Sequence, residues 1–363
     1  MNQEKTYRVA ILGAGFIGKV HAYAYATLPF YSSPLPLRAE VKWVAAAHPE
    51  TAEAVAAMLP AAAGTADWRR AVEDDEVDIV HVCTPNYLHR EQLEAAIRAG
   101  KHIYCEKPLC ATRDEAESLA ALLADYRGVS HMTFHHRYFA SVELARDLIA
   151  QGKLGRILEF RGAYLQDSHV DENRPIRWKN ERAAGGGALA DIGSHLIDLA
   201  DWLVGPMRCV ASVSSTPFGD ASRAEDAVSM IWQTSSNSAV GTLQVSKIAL
   251  GHENDLSLTI YGTAGALRIH CMTPHYLEFC DARPLTHSGP HPVTGWTRLA
   301  VGHRYSPPDT TFPATKSAIG WTRAHCACLA DFLRAVAEGK NSAKEIDLQR
   351  GIYIQRLMDG VKM

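Results

Sequence analysis

The sequence predicts an α/β protein: a doubly wound parallel sheet at the N-terminal end, then an α/β region built on a large, mainly antiparallel open sheet. Three observations predict it. Apolar runs alternate with helix-period segments over about the first 130 of 363 residues, as in strands joined by right-handed helical crossovers. A glycine-rich turn closes the first of those runs. Beyond residue 208, strand-like runs succeed one another without helices between them, which antiparallel sheets allow.

The elements follow in order. Residues 7–13 (YRVAILG) form an apolar run, with a turn and helix over 14–27. PFYSSPLPL at 29–37 reads as a loop. Residues 40–47 are the second strand, 50–59 a helix, and Trp68 to Val72 a short one. Residues 76–83 (EVDIVHVC) make a third run, ended by Thr84-Pro85-Asn86. The helix over 88–99 carries Leu93, Ala96 and Ile97 on one face and stops at Gly100. Residues 101–105 are the next strand and 112–126 the next helix. Helices are predicted again at 139–150 and 191–204, and strands at 208–216, 226–234, 239–247, 255–262 and 265–271. Residues 282–318, rich in Pro, Gly, His and Thr, are expected to form a long irregular loop. Helices at 321–337 and 347–359 complete the pattern.

Bulk properties exclude several classes. A net charge of −3, from 37 basic and 40 acidic residues, argues against nucleic acid or an acidic membrane as partner. No apolar run reaches about 18 residues, so no membrane-spanning helix is expected. The opening segment reads as strand rather than secretion signal. The eight cysteines show no paired CxxC spacing and read as reduced thiols, so a cytoplasmic location is expected.

Gly13-Ala14-Gly15-Phe16-Ile17-Gly18 is a GxGxxG between a strand and a helix, the context that makes it a Rossmann dinucleotide fingerprint. Gly13 suits the tight turn, Gly15 the approach of backbone to a pyrophosphate, and Gly18 close helix–strand packing. The helix N-terminus then offers unsatisfied N–H groups to the phosphates. Ribose recognition usually uses an acid after the second strand; here Ala45, Ala46, Ala47 and His48 stand there. His48 can cap the adenosine ribose or simply close a turn. NAD is the expected cofactor, with NADP left open. Two polar clusters, Thr84 to His89 and Glu106-Lys107-Pro108, follow the next two strands, at the sheet end where ligands bind.

The segments GAGFIG, CTPNYLH and CEKPL, with GALADIGSH at 187–195, resemble the Gfo/Idh/MocA oxidoreductases over nearly the whole chain. Within that family, Gly162 to Asp167 and Trp178-Lys179 resemble the levoglucosan- and inositol-type dehydrogenase branch. The resemblance implies hydride transfer between nicotinamide and a secondary alcohol of a sugar, anhydrosugar or polyol. It implies catalytic roles for Lys107, Asp191 and His195, with a cis peptide before Pro108. Gly13, Gly15, Phe16, Ile17, Thr84, Asn86, His89, Glu106 and Lys107 match cofactor-contacting positions. His135, His136, Arg137, Tyr164, Gln166 and Asp167 are the substrate-contact candidates, beside Lys107, Asp191 and His195. The branch often carries Asn-Tyr-Arg where this chain has His135-His136-Arg137. The resemblance also takes in non-catalytic dinucleotide-binding regulators, NAD-dependent glycosidases and ketosugar reductases. Lys107 together with His195 weighs against the first.

The residue types suit the chemistry. The cofactor takes a hydride from carbon while the protein positions the alcohol and removes its proton. Histidine is the natural base near neutral pH, and a lysine ammonium stabilises a developing alkoxide. Asp191 and His195, at i and i+4, share one helical face, with Asp198 one turn on. Those three could ligate a metal, but no companion Cys/His set stands out and no metal is expected. Trp321 and His325, opening a late helix, are candidates for the cleft. His252, His270, His275, His287, His291 and His303 read as surface or structural.

Two domains are expected from the length: a dinucleotide-binding unit over 1–130 and a substrate-binding, self-associating unit over 131–363, whose last helices can return to the first. An open sheet with an apolar face needs a cover, and the resemblance implies a homodimer or homotetramer.

Overall fold

The computed structural model describes residues 5–362 apart from 36, 172–176, 219–222, 237, 284–293, 303–311, 313, 315–316 and 318–319. The first sheet is built from β1 (Thr6–Leu12), β2 (Arg38–Ala45), β3 (Ala63–Thr65), β4 (Ile79–Val82), β5 (His102–Cys105) and β6 (Ser130–Met132). Between them run α1 (Phe16–Tyr31), α2 (Pro49–Ala56), α3 (Trp68–Glu73), α4 (Asn86–Arg98) and α5 (Arg113–Leu123). All pairings are parallel and the order is β3-β2-β1-β4-β5-β6, that of a dinucleotide-binding sheet. The apolar runs form strands because both sheet faces are covered: Val9 to Leu12, and Ile79 to Val82 including His81, are fully buried.

Helix caps separate structural from available ends. Thr112 and Glu115 close a capping box on α5, and Asp67 caps α3. At α1, Gly15 supplies no side-chain cap and the first turn holds no acid, so its N–H groups remain available.

The second sheet follows α6 (Ala140–Ala150) and comprises β7 (Ile157–Leu165), β8 (Met207–Ser215), β9 (Ala227–Thr234), β10 (Val240–Ser246), β11 (Asp255–Gly262), β12 (Gly265–His270), β13 (Tyr276–Asp281) and β14 (Thr297–Ala300). Its order is β14-β13-β12-β11-β7-β10-β9-β8. Among the described residues only β7 and β10 pair in parallel; the other pairings are antiparallel. Alternate residues such as Val228, Met230 and Trp232 of β9 are buried. That face packs on α6 and on α7 (Ser194–Val204). On the outer face Val213, Ile231 and Val240 are exposed. Two last helices, α8 (Thr322–Glu338) and α9 (Leu348–Asp359), pack against α1 and α5 respectively, and α9 also meets α7.

Several elements depart from expectation. The helix expected over 14–27 continues to Tyr31 through Pro29. Leu28 and Tyr31 bury themselves in that last turn, and burial outweighs the one backbone bond that proline removes. The central strand β7 was not anticipated, because Glu159, Arg161 and Gly162 interrupt its apolar run. The short β3 and β6, and β13 and β14, were likewise unforeseen. β14 falls inside the stretch read as irregular. Most of that stretch lies outside the described residues, with His287, His291 and His303. The helix expected from 191 opens as a wider π turn over Leu189–Gly193, and α7 starts at Ser194. No helix of the described residues is long and apolar enough to cross a membrane.

Candidate active site

A cleft of about 980 Å³ runs from the carboxyl ends of β1 and β4 to the inner face of the second sheet. One end is lined by Gly13, Gly15, Phe16, Ile17, Ala46, Ala47, His48, Thr51, Thr84 and Asn86. Gly13 has φ +107°, and a Cβ there would stand 2.5 Å from the Cys83 carbonyl oxygen, so only glycine fits. Nothing lies within 4 Å of the Cβ position at Gly15, which leaves room for a pyrophosphate. Gly18 is not in the cleft wall; its Cβ would fall 1.8 Å from the Gly13 carbonyl oxygen, the helix–strand packing role expected of it. With the uncapped α1 terminus, this cradle fits a dinucleotide. Beyond β2 the lining has no arginine for a 2′-phosphate, and His48 is exposed to the cleft.

The loops after β4 and β5 carry the next groups. Asn86 Nδ2 donates to the Gly185 carbonyl at 2.8 Å, tying the β4 loop to the approach to α7. Thr84 donates to Gln92 at 2.7 Å. His89 sits behind the cleft instead of lining it. Its ring nitrogens lie 3.0 Å from the Pro108 carbonyl and 2.9 Å from that of Thr84, so it holds the two loops together. Glu106 lines the cleft and stands 3.2 Å from His21 Nε2. The Lys107–Pro108 peptide is cis, as the resemblance implied.

Lys107, Asp191 and His195 all line the cleft. Lys107 Nζ donates to the Asp191 carbonyl oxygen at 2.7 Å and lies 3.6 Å from Asp191 Oδ1. Two further lysines hold the same carboxylate: Lys179 Nζ at 3.0 Å from Oδ1 and Lys247 Nζ at 2.5 Å from Oδ2. Burial opposes ionisation of Asp191, but Lys247, Lys107 and Lys179 overcome it and hold the carboxyl well below its ordinary value. Burial also pushes Lys247 downward, against the attraction of Asp191. His195 is held neutral chiefly by burial, then by His136, Lys107 and His325, with Asp191 acting the other way.

On the second sheet, Tyr164 Oη and Gln166 Nε2 converge on Asn254 Oδ1, at 2.7 and 2.8 Å, and all three line the cleft with His135. Trp321 and His325 also reach it, Trp321 stacking on Phe16 with centroids 5.7 Å apart. Three expected substrate contacts differ. Arg137 is buried and spent on Asp198, Nε to Oδ2 at 2.7 Å and a second nitrogen to Oδ1 at 2.5 Å. Asp198 also receives Arg350 at 2.8 Å, which removes it from any metal set with Asp191. Neither Asp167 nor His136 is part of the cleft lining, although His136 packs against His195 with centroids 4.5 Å apart.

Residues 7–134 match the oxidoreductase family model described as an NAD-binding Rossmann fold, and residues 142–268 match the GFO/IDH/MocA C-terminal domain. This chain belongs to the Gfo/Idh/MocA family of oxidoreductases. Among Gfo/Idh/MocA members, the levoglucosan dehydrogenase of Pseudarthrobacter phenanthrenivorans is 33% identical over 355 residues, covering 91% of this chain and 89% of the relative. An inositol 2-dehydrogenase of Rhizobium meliloti is 27% identical, covering 93% and 91%. The solved structure of a levoglucosan dehydrogenase in complex with NADH and levoglucosan superposes with a TM-score of 0.90 at 32% identity, over 98% of this chain and 96% of that one.

Sequence reading missed Lys247 and Asn254. Lys247 carried a signal: it continues the alternation of Leu243 and Val245 along β10, so the buried face of that strand ends in a cation. Asn254 lies in a short turn before β11 and carried none.

Proposed function

We propose that this chain oxidises a secondary alcohol of a sugar, anhydrosugar or polyol, with NAD bound along the glycine turn. The observation carrying the reading is that Lys107, from the first sheet, meets Asp191 and His195, from the helix over the second, in one cleft. Bound NAD supplies the hydride acceptor. Asp191 and Lys107 orient the alcohol, and the ammonium stabilises negative charge as the proton leaves its oxygen. His195, neutral by burial, is the form that accepts that proton. Tyr164, Gln166 and His135 line the remainder of the sugar pocket. The similarity to a levoglucosan dehydrogenase supports an anhydrosugar or related pyranose as the first substrate to try.

In this reading residues 1–130 hold the dinucleotide and 131–363 the substrate, in a cytoplasmic enzyme. A second copy of the chain covers the exposed Val213, Ile231 and Val240, giving a dimer or tetramer; a monomeric mass in solution counts against this. The deciding experiment follows reduced nicotinamide and products together, with NAD⁺ or NADP⁺ and a panel of sugars, anhydrosugars and inositols. Stoichiometric NADH with a ketosugar supports the proposal. Glycosidic cleavage without net NADH, or cofactor binding with no turnover on any of them, overturns it.

A further inference from the structure

At the wall of the cleft, which His135 and His195 line with His136 behind them, the three histidines each present a ring nitrogen within 4.8 Å of the other two. His135 and His136 come from the 3-10 turn over His135–Tyr138, His195 from the first turn of α7. Their ring centroids are 4.1, 4.5 and 4.9 Å apart, and the residues are only 4, 3 and 5% exposed. Neither nitrogen of His135 has a hydrogen-bond partner, and neither does Nδ1 of His136 or of His195. Buried polar atoms are normally satisfied, and four orphaned nitrogens gathered at one spot call for a ligand that accepts lone pairs. All three rings are buried, and neutral imidazole is the metal-binding form.

A second group, His21, Glu106 and His325, is equally compact; both ring nitrogens of His325 lack a partner, but His21 and Glu106 are occupied. His21 Nε2 meets Glu106 at 3.2 Å, and its Nδ1 meets His81 Nδ1 at 2.9 Å and Cys83 Sγ at 3.1 Å.

We propose that His135, His136 and His195 bind a divalent metal ion of the zinc type, with the fourth position open to the cleft, and that the bound ion inhibits by taking His195 out of proton transfer. Imidazole suits zinc, copper and nickel, and three protein ligands with one open position is a recurrent zinc arrangement. Zinc–nitrogen bonds of about 2.0–2.1 Å set tetrahedral ligand atoms about 3.3 Å apart, a contraction that rotation of the rings supplies. The Lys107 ammonium opposes a dication there, so binding is micromolar rather than tighter. The inhibitory half rests on the base role proposed for His195; the binding half does not.

The test uses the full chain stripped with chelator. Equilibrium dialysis is expected to give one Zn²⁺ per chain at micromolar concentration. Co²⁺ is expected to give the intense visible bands of a tetrahedral site, removed by Zn²⁺. His135→Asn and His136→Tyr, the residues the resembling branch carries there, each weaken binding at least tenfold, with folding checked by circular dichroism. Zn²⁺ inhibition of the wild type is competitive with sugar and not with NAD. Absence of Zn²⁺ binding at tens of micromolar overturns the site, as does unchanged binding in the folded double variant. Should either variant fail to fold, an octahedral Co²⁺ spectrum of the wild type overturns it. Binding that depends on both histidines but leaves turnover intact upholds the site and overturns the inhibition, together with the base role of His195.

Discussion

Lys107 Nζ donates to the backbone carbonyl of Asp191 at 2.7 Å while standing 3.6 Å from the same residue's carboxylate. One ammonium thus joins the loop after β5 to the π turn that leads into α7. It fixes the part of the cleft over the second sheet relative to the part at the glycine turn, and a misplacement of about 1 Å between reacting groups can cost a hundredfold in rate. Lys107→Ala is therefore expected to lower kcat by about 10²–10⁴-fold, as is His195→Ala, with NAD affinity kept. Steady-state kinetics with a fluorescence titration of NAD checks this; normal turnover in either variant removes that residue from the chemistry.

Lys247 is the most buried partner of Asp191, 3% exposed in its side chain and 2.5 Å from Oδ2. Removing its charge lets burial raise the Asp191 carboxyl, since opposite charges nearby lower a carboxyl by about 1–3 units. Lys247→Met should move the acid limb of kcat/KM upward by about one pH unit and raise the sugar KM, with Lys247→Arg partly restoring both. A pH–rate profile identical to wild type would show that Lys179 and Lys107 suffice.

The two leading glycines of the dinucleotide turn separate folding from binding. Gly13 combines φ +107° with a Cβ position 2.5 Å from the Cys83 carbonyl, so Gly13→Ala is expected to reduce both stability and NAD affinity. Gly15 has open space around its Cβ position. Gly15→Ala should leave the melting temperature unchanged and still weaken NAD about tenfold or more, because the methyl occupies the approach of the pyrophosphate. Thermal melts with NAD titrations decide; normal affinity in the folded Gly15→Ala protein would place the phosphates elsewhere.

The parallel sheet was legible because strands buried on both faces leave continuous apolar runs and the glycine turn marks their sense. β7 was not, although it is central. Its buried residues Ile157, Phe160 and Tyr164 stand three and four apart, because a register shift beside Ile157 breaks the alternation, and Glu159 and Arg161 interrupt the apolar run. Lys107, Asp191 and His195 were legible from motif, and the structure brings them to one cleft. Arg137 was misassigned because a sequence shows neither Asp198 nor Arg350 converging on it across the fold.

His81 sits fully buried in the first sheet, facing His21 and Tyr25 of α1 at 2.9 Å each, Tyr104 of β5 and Phe332 of α8. Burial, then His21, holds its pKa well below the ordinary 6.5. The folded state keeps this ring neutral while the unfolded chain takes up a proton below about pH 6.5, so stability falls as pH drops through that point. His81 alone contributes a loss of about 1.4 kcal/mol per pH unit. Urea midpoints at pH 7 and at a pH one unit below 6.5 measure it; coincident midpoints would mean His81 protonates without penalty.

Arg137 and Asp198 form a buried bidentate pair, 1% and 2% exposed in their side chains. Truncating one partner of such a pair strands the other's charge, at a cost of about 3–5 kcal/mol; Arg350, 2.8 Å from Asp198, keeps this loss toward the lower end. Arg137→Met is thus expected to lose about 3 kcal/mol in denaturant unfolding while the sugar KM changes little, because Arg137 does not line the cleft. Arg137→Lys should also destabilise, since an ammonium cannot make the two parallel hydrogen bonds. The contrary pattern, intact stability with a sugar KM raised tenfold or more, would return Arg137 to the substrate contacts its sequence context implied.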